Sequence, residues 1–313
     1  MDYAAGNVGL NTPYRATAEE PAVIYAGVAM GRAPQLVEAK VENGRWYPLR
    51  TRETLARWFP AIGRKFPTAE AFSKATLEEV FSREVLAKAT KREATELRGG
   101  VFLSQPEGTW RFEALPRLAQ IAPIHGLAAG DLDGDGRADL LTVGNSHAPI
   151  PAVGRFDGGV GWLLRGDGNG RFEPVAAGES GVVMRRDARA LATIDFNQDG
   201  WADFVATRNH DVPAAFVSRG VAGRKSFGVV LQGPNGNPAA VGARVTVVGG
   251  DGRRQMAEMA AGSGYFSQSS ATLFFGYPES KPPKEMRIRW PDGRETVHSF
   301  DAPPEKTLRL SAP

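Results

Sequence analysis

The sequence predicts a mainly β protein: a partial β-propeller with a helical insertion over residues 1–223, then a small β-sandwich or barrel over residues 224–313. Three observations lead there. A loop with acidic residues at alternate positions occurs twice, at 131–139 and 195–203, each time between two short apolar runs. A turn-and-aromatic segment recurs as Asn43-Gly-Arg-Trp-Tyr-Pro-Leu49, as Asn169-Gly-Arg-Phe-Glu-Pro-Val175 and, more loosely, as Thr109-Trp-Arg-Phe-Glu-Ala-Leu115. Its aromatic positions Trp46, Phe112 and Phe172 lie 66 and 60 residues apart, and such a period with several short strands per unit fits propeller blades better than a sandwich. The last 90 or so residues carry a different strand pattern and form a domain of their own.

Taken in order, residues 22–25 and 35–39 read as strands, and the turn Glu42-Asn43-Gly44-Arg45 leads into a third at 46–49. Residues 51–98 place Leu55, Trp58, Phe59 and Ile62, then Leu77, Val80, Phe81, Val85 and Leu86, at helical spacing, which marks the insertion. Within it Thr76-Leu-Glu-Glu79 has the form of a capping box, and Pro60 and Pro67 break what precedes it. Its aromatic residues are expected to be core, packed on a blade. Strands resume at 101–103, 110–115, 126–129, 140–143, 161–164, 171–175, 190–194, 204–207 and 214–218, so each acidic loop joins two strands. Beyond Gly223 the strand candidates are 227–231, 243–248, 285–290 and 295–300. Met286, Ile288 and Trp290 alternate with Arg287 and Arg289 as a half-buried strand requires, and Asp292-Gly293 turns the last hairpin.

The composition excludes several classes. With 42% hydrophobic and 23% charged residues the chain can bury a core, and no apolar run approaches the roughly 20 residues of a membrane helix. Residues 1–10 lack the basic start and apolar centre of a signal peptide. The absence of cysteine removes disulfides, thiol catalysis and cysteine metal sites. The formal charge of +3 is unevenly spread: residues 224–313 hold 12 Lys/Arg against 8 Asp/Glu, and residues 1–223 hold 26 against 27. Without a clustered basic run this reads as a solvated surface, and no nucleic-acid partner is expected; a polyanion surface is the weaker alternative.

The acidic loops carry the chemistry. Calcium takes 6–8 hard oxygen ligands, and side chains at loop positions 1, 3, 5 and 9 with a carbonyl at 7 supply them, while glycine at 6 allows the tight turn. In the first loop these are Asp131, Asp133, Asp135, Asp139 and the Arg137 carbonyl; in the second, Asp195, Asn197, Asp199, Asp203 and the Trp201 carbonyl. An EF-hand requires a bidentate Glu at position 12, where Thr142 and Ala206 stand, so these are not EF-hands. Asn197 brings no charge, so the second site is expected to be the weaker of two structural Ca2+ sites.

These loops resemble FG-GAP (VCBS) repeats of integrin-type propellers, in which each loop lies inside a blade and its ion holds two strands together. The C-terminal part resembles the ASPIC/UnbV domain in Asn237-Pro-Ala-Ala-Val-Gly-Ala-Arg-Val-Thr-Val247, Gly262-Ser-Gly-Tyr-Phe-Ser-Gln268, Phe274-Phe-Gly276 and Arg289-Trp-Pro-Asp-Gly293. The combination is similar to bacterial relatives of the cartilage acidic protein family. That resemblance implies an exported, calcium-loaded protein at the cell surface, in the periplasm or outside the cell, without catalytic residues. The chain departs from the pattern at residues 27–33, where Gly27-Val-Ala-Met-Gly-Arg-Ala33 has no carboxylate and no ion is expected. About three units are present, whereas a closed propeller needs about four or more. Either further N-terminal blades and an export signal lie outside this chain, or an open arc is completed by a partner.

Two smaller features complete the reading. Arg165-Gly166-Asp167 is an integrin-recognition tripeptide, but its setting in Asp167-Gly168-Asn169-Gly170 is hairpin chemistry, and the turn is the expected role. Gly144-Asn145-Ser146-His147 and Arg208-Asn209-His210-Asp211 place two histidines one unit apart at the ends of corresponding strands. The function expected is a non-catalytic calcium-binding scaffold or adhesion-type module that binds a protein or glycan. The alternative is an enzyme, or an accessory subunit of one, using a rim at His147, Asn209, His210 and Asp211. Convergence of those four groups in one place favours the alternative.

Overall fold

The computed structural model describes residues 2–149 and 153–313. The first strand, β1 (Tyr3–Ala5), pairs with a strand nearly a hundred residues later. Residues 12–97 then form a unit of their own, and residues 1–11 with 98–313 form the other.

The unit of residues 12–97 contains β2 (Ala22–Val28), β3 (Gln35–Glu42), β4 (Arg45–Pro48), five short helices α1–α5 between Arg52 and Ala87, and β5 (Thr90–Ala94). Its antiparallel sheet has the order β4-β3-β2-β5. Val28, Val37 and Ala39 of the sheet share one buried cluster with Leu55, Phe59, Ile62, Leu77, Val80 and Phe81 of the helices, and Phe59 meets Phe81 edge to face at 5.6 Å. The expected first blade and the expected insertion therefore fold together around their own core. Thr76 and Glu79 make the capping box anticipated from the sequence. Helical structure stops at Ala87 instead of 98, because 90–94 adds to the sheet as an edge strand. Its run Thr-Lys-Arg-Glu-Ala is exposed throughout, as a protected edge should be, and so it shows no apolar alternation.

The other unit begins with a sheet of order β1-β6-β7, using β6 (Gly100–Ser104) and β7 (Trp110–Ala114). Next come β8 (Ile124–Gly130), β9 (Asp139–Gly144), β10 (Trp162–Gly166) and β11 (Phe172–Pro174), a four-stranded meander. After the short helix α6 (Ala177–Ser180), β12 (Ala188–Ile194), β13 (Asp203–Arg208) and β14 (Asp211–Phe216) make a third sheet. Strand β9 is covered on both faces: Leu140 enters the cluster with Val101 and Leu115 of the preceding sheet, and Leu141 and Val143 enter that with Leu191 and Ala206 of the following one. This two-sided burial is how stacked blades share their apolar surface. Trp46, Phe112 and Phe172 each lie on an edge strand that follows its neighbour by a hairpin, so the repeat marks the same place in all three sheets.

The C-terminal part is a sandwich of two sheets, β18-β15-β21 and β17-β16-β19-β20. They are built from β15 (Arg224–Gln232), β16 (Arg244–Gly249), β17 (Arg254–Glu258), β18 (Leu273–Pro278), β19 (Pro283–Arg289), β20 (Glu295–Ser299) and β21 (Leu308–Ser311). Phe227, Val229, Val245, Phe275, Met286, Ile288 and Trp290 fill the space between them. Strand β21 runs parallel to β15, a pairing no local hairpin signal announces. Among the described residues no helix is long and apolar enough to cross a membrane.

Truncating Phe81 to alanine is expected to destabilise the unit of residues 12–97 by about 3–5 kcal/mol, and Thr76→Ala by about 1 kcal/mol. Urea unfolding followed by tryptophan fluorescence, with Trp46 and Trp58 in that unit, measures both.

Candidate metal centre in the acidic loops

The two loops share one wiring scheme. At position 1, Asp131 accepts amide hydrogen bonds from Gly134 (2.8 Å) and Asp135 (3.1 Å) on one oxygen and from Gly136 (2.8 Å) on the other. Asp195 accepts from Asp199 (3.2 Å) and Gly200 (3.0 Å) in the same way. At position 9, Asp139 accepts from Leu132 at 3.0 Å and, with its other oxygen, from Gly166 at the end of β10 at 3.0 Å. Asp203 accepts from Phe196 and Ser218, both at 2.8 Å. The first carboxylate thus shapes the turn, and the ninth ties the loop to a third segment of chain.

The loops differ at position 3. Asp133 lies against Arg165 Nε at 2.7 Å and Arg224 Nη1 at 2.5 Å, whereas Asn197 donates to Asp199 at 2.8 Å. Oxygens of Asp131, Asp133 and Asp139 all fall within 4.8 Å of one another, and all three residues are buried. Asp135 stays outside this group: it accepts from the Arg137 amide at 2.9 Å and faces the Arg137 guanidinium at 3.7 Å. Asp199 repeats that bond with the Trp201 amide at 2.9 Å. Asp195, Asp199 and Asp203 do not gather as closely among the described residues.

Electrostatics single out the first loop. Burial, opposed by the Gly136 amide and reinforced by Asp139 and Asp135, pushes the Asp131 carboxyl up to about 7. Burial likewise drives Asp139 to about 6, with Asp133 and Asp135 adding to the rise. Both arginines sit on Asp133, and among the described residues Asp131 and Asp139 have no ion-pair partner. Two buried carboxylates without a countercharge, in a loop offering only oxygen donors, suit a hard divalent cation.

The other predicted features separate. Arg165 and Gly166 end β10, with Arg165 held by Asp133 and Glu179, and Asp167 closes the hairpin turn by accepting from Asn169 and Arg171, so the tripeptide serves the hairpin. The His147 amide and the Asn209 side chain both donate to Asp187, at 3.3 and 3.2 Å. Asp211 instead pairs with Arg208, and His210 is exposed at the turn with positive φ, so the four rim groups do not converge. The residue that organises this end, buried Asp187, was not anticipated; nor were its partner Arg189 at 2.7 Å and His125, whose Nε2 lies 2.5 Å from Arg189 Nη1. Burial works to raise Asp187, but Asn209 and Arg189 hold its carboxyl below the usual range. Burial and Arg189 lower His125, which keeps it neutral as the acceptor of the arginine. The charged run Arg185-Arg186-Asp187-Ala188-Arg189, which leads into the first residues of β12, was the available signal.

Because Asp131 and Asp139 are raised in the folded chain, it holds more protons than the unfolded chain between about pH 4 and 7, and the loop's contribution to stability falls as pH rises through that window. With divalent cations chelated, Asp131→Asn is expected to remove part of this decline, leaving a pH-independent loss of the Gly136 hydrogen bond. Urea titrations of both proteins at a series of pH values test it; parallel stability curves contradict it.

Comparison with protein families matches two stretches of the chain. Residues 94–142 match the family model of an FG-GAP-like repeat, a span that runs from β5 through the first acidic loop into β9. Residues 233–313 match the family described as ASPIC and UnbV. A search of curated proteins returned no match to the chain. The chain therefore holds one stretch similar to an FG-GAP-like repeat and, at its C-terminal end, one similar to the ASPIC and UnbV family.

Proposed function

We propose that the chain is a calcium-stabilised, non-catalytic scaffold of the adhesion type, which presents its surface to a protein or glycan outside the cell, in the periplasm or at the cell surface. The observation that carries the metal reading is the pair of buried carboxylates, Asp131 and Asp139, gathered with Asp133 and lacking a countercharge. Asp131, Asp133, Asp135, Asp139 and the Arg137 carbonyl hold the ion of the first loop. Asp195, Asn197, Asp199, Asp203 and the Trp201 carbonyl hold a weaker second one. The ion supplies positive charge where blade strands meet, and the chain does the rest: the position-9 aspartates fix the loop to the next strand through the Gly166 and Ser218 amides. Extracellular calcium lies in the millimolar range to which weak structural modules are tuned.

An ion bound only by the folded chain stabilises it by about 2.7 kcal/mol at a hundredfold excess over Kd. Thermal unfolding is expected to shift upward with calcium and downward with EGTA in the wild type, and to lose most of that response in Asp135→Ala. A wild-type melt that ignores chelation contradicts the proposal. Terbium luminescence sensitised by Trp201 should reveal two classes of site, and Asn197→Asp should tighten the weaker one.

A further inference from the structure

The acidic loops do not face solvent alone. Strand β15, the first of the C-terminal sandwich, passes along both of them. Arg224 Nη1 reaches Asp133 Oδ1 at 2.5 Å and donates to the Asp133 carbonyl at 3.1 Å. Arg253, leading into β17, donates to the Asp135 carbonyl at 3.3 Å. The backbones approach so closely that a Cβ on Gly276 would lie 2.4 Å from the Gly134 Cα and 2.5 Å from Asp131 Oδ2. At the second loop, a Cβ on Gly200 would lie 2.9 Å from the Ser226 carbonyl oxygen and 3.1 Å from that of Glu305. Trp201 spans the two loops, its ring set against both Gly134 and Gly220. A third contact covers the free edge of β12: the Thr193 amide donates to Ser269 Oγ at 3.1 Å, and the Ser270 amide donates to the Thr193 carbonyl at 2.9 Å. These contacts account for the grouping of the sandwich with the three sheets in a single unit.

We propose that the two acidic loops are the seat on which the ASPIC/UnbV domain docks, and that Arg224 makes the firmness of that docking depend on a divalent cation in the first loop. The inference rests on the calcium reading above. Its physical basis is that the domain grips the loop by parts whose positions a cation fixes: the carboxylate and carbonyl of Asp133 and the carbonyl of Asp135. Charge works in the same direction. Asp133 already carries two guanidinium groups, from Arg165 and Arg224, while among the described residues Asp131 and Asp139 have none, which leaves their charge for the cation. Relieving the repulsion between buried carboxylates holds the loop in the shape that Gly276 and Arg224 require. The C-terminal domain is then a reader of loop occupancy, and loss of calcium loosens it from the blades without unfolding its own core.

Hydrogen–deuterium exchange on the full chain tests this, paired with a terbium or calcium titration of the same sample. In the wild type, calcium is expected to slow exchange at least fivefold in residues 224–228 and 273–277, which abut the loops. Exchange around Met286 and Ile288 in the sandwich core should stay unchanged. Arg224→Gln is expected to lose most of the slowing at saturating cation and, because coupling between two sites is reciprocal, to weaken cation binding by a comparable factor. Gly276→Ala should accelerate exchange in both segments with or without the ion. A wild type that binds the cation with no change, or with faster exchange, in these segments overturns the docking inference while leaving the calcium reading intact. So does an Arg224→Gln variant with the full effect. A titration showing no cation binding overturns both, before any exchange is measured.

Discussion

Burying a carboxylate is costly unless its oxygens are satisfied, and much of this structure follows from how Asp139 and Asp203 meet that requirement. Each spends one oxygen on an amide at the start of its own loop and the other on an amide of a further segment, Gly166 or Ser218. A nine-residue loop thereby fixes the relative position of three pieces of chain. The strand that leaves the first loop, β9, is consequently held at the centre of its sheet, where Leu140 and Leu141 pack in opposite directions. Sheet stacking and loop geometry are two results of one set of bonds.

That arrangement leaves a charge problem. Hydrogen bonds from backbone amides lower the cost of burying Asp131 and Asp139 without cancelling it, and burial first, with the neighbouring carboxylates second, keeps both carboxyls raised. Arg165 and Arg224 relieve Asp133 only. One of those arginines comes from the blade and the other from the C-terminal sandwich, so the electrostatics of a single loop bear on how two folded parts are joined.

Most of the strand architecture was legible in the sequence, because turn chemistry and period-2 alternation are local. The acidic loops were legible for the same reason, since position 1 to position 9 lies within one turn of chain. What escaped had non-local causes. Strand β5 is exposed throughout and pairs along the edge that β2 offers; β21 pairs in parallel with a strand some eighty residues earlier; β1 joins β6 across the whole unit of residues 12–97. The insertion's aromatic residues were expected as core packed on a blade, and Phe59 and Phe81 do pack on Val28 and Val37; what no local signal announced is that this sheet and its helices share a core of their own. The histidines offered the opposite lesson. His147 and His210 caught the eye as reactive side chains, yet the group that organises their region is Asp187, an ordinary member of a charged run whose importance comes from burial.

Crystals grown in calcium and then soaked in terbium offer the most direct test of the central claim, through an anomalous difference map. The account predicts a strong peak bounded by the carboxylates of Asp131, Asp133 and Asp139, with a weaker one in the loop of Asp195 and Asp203. A map with no peak between those carboxylates, and with Asp133 held by Arg165 and Arg224 alone, would contradict it.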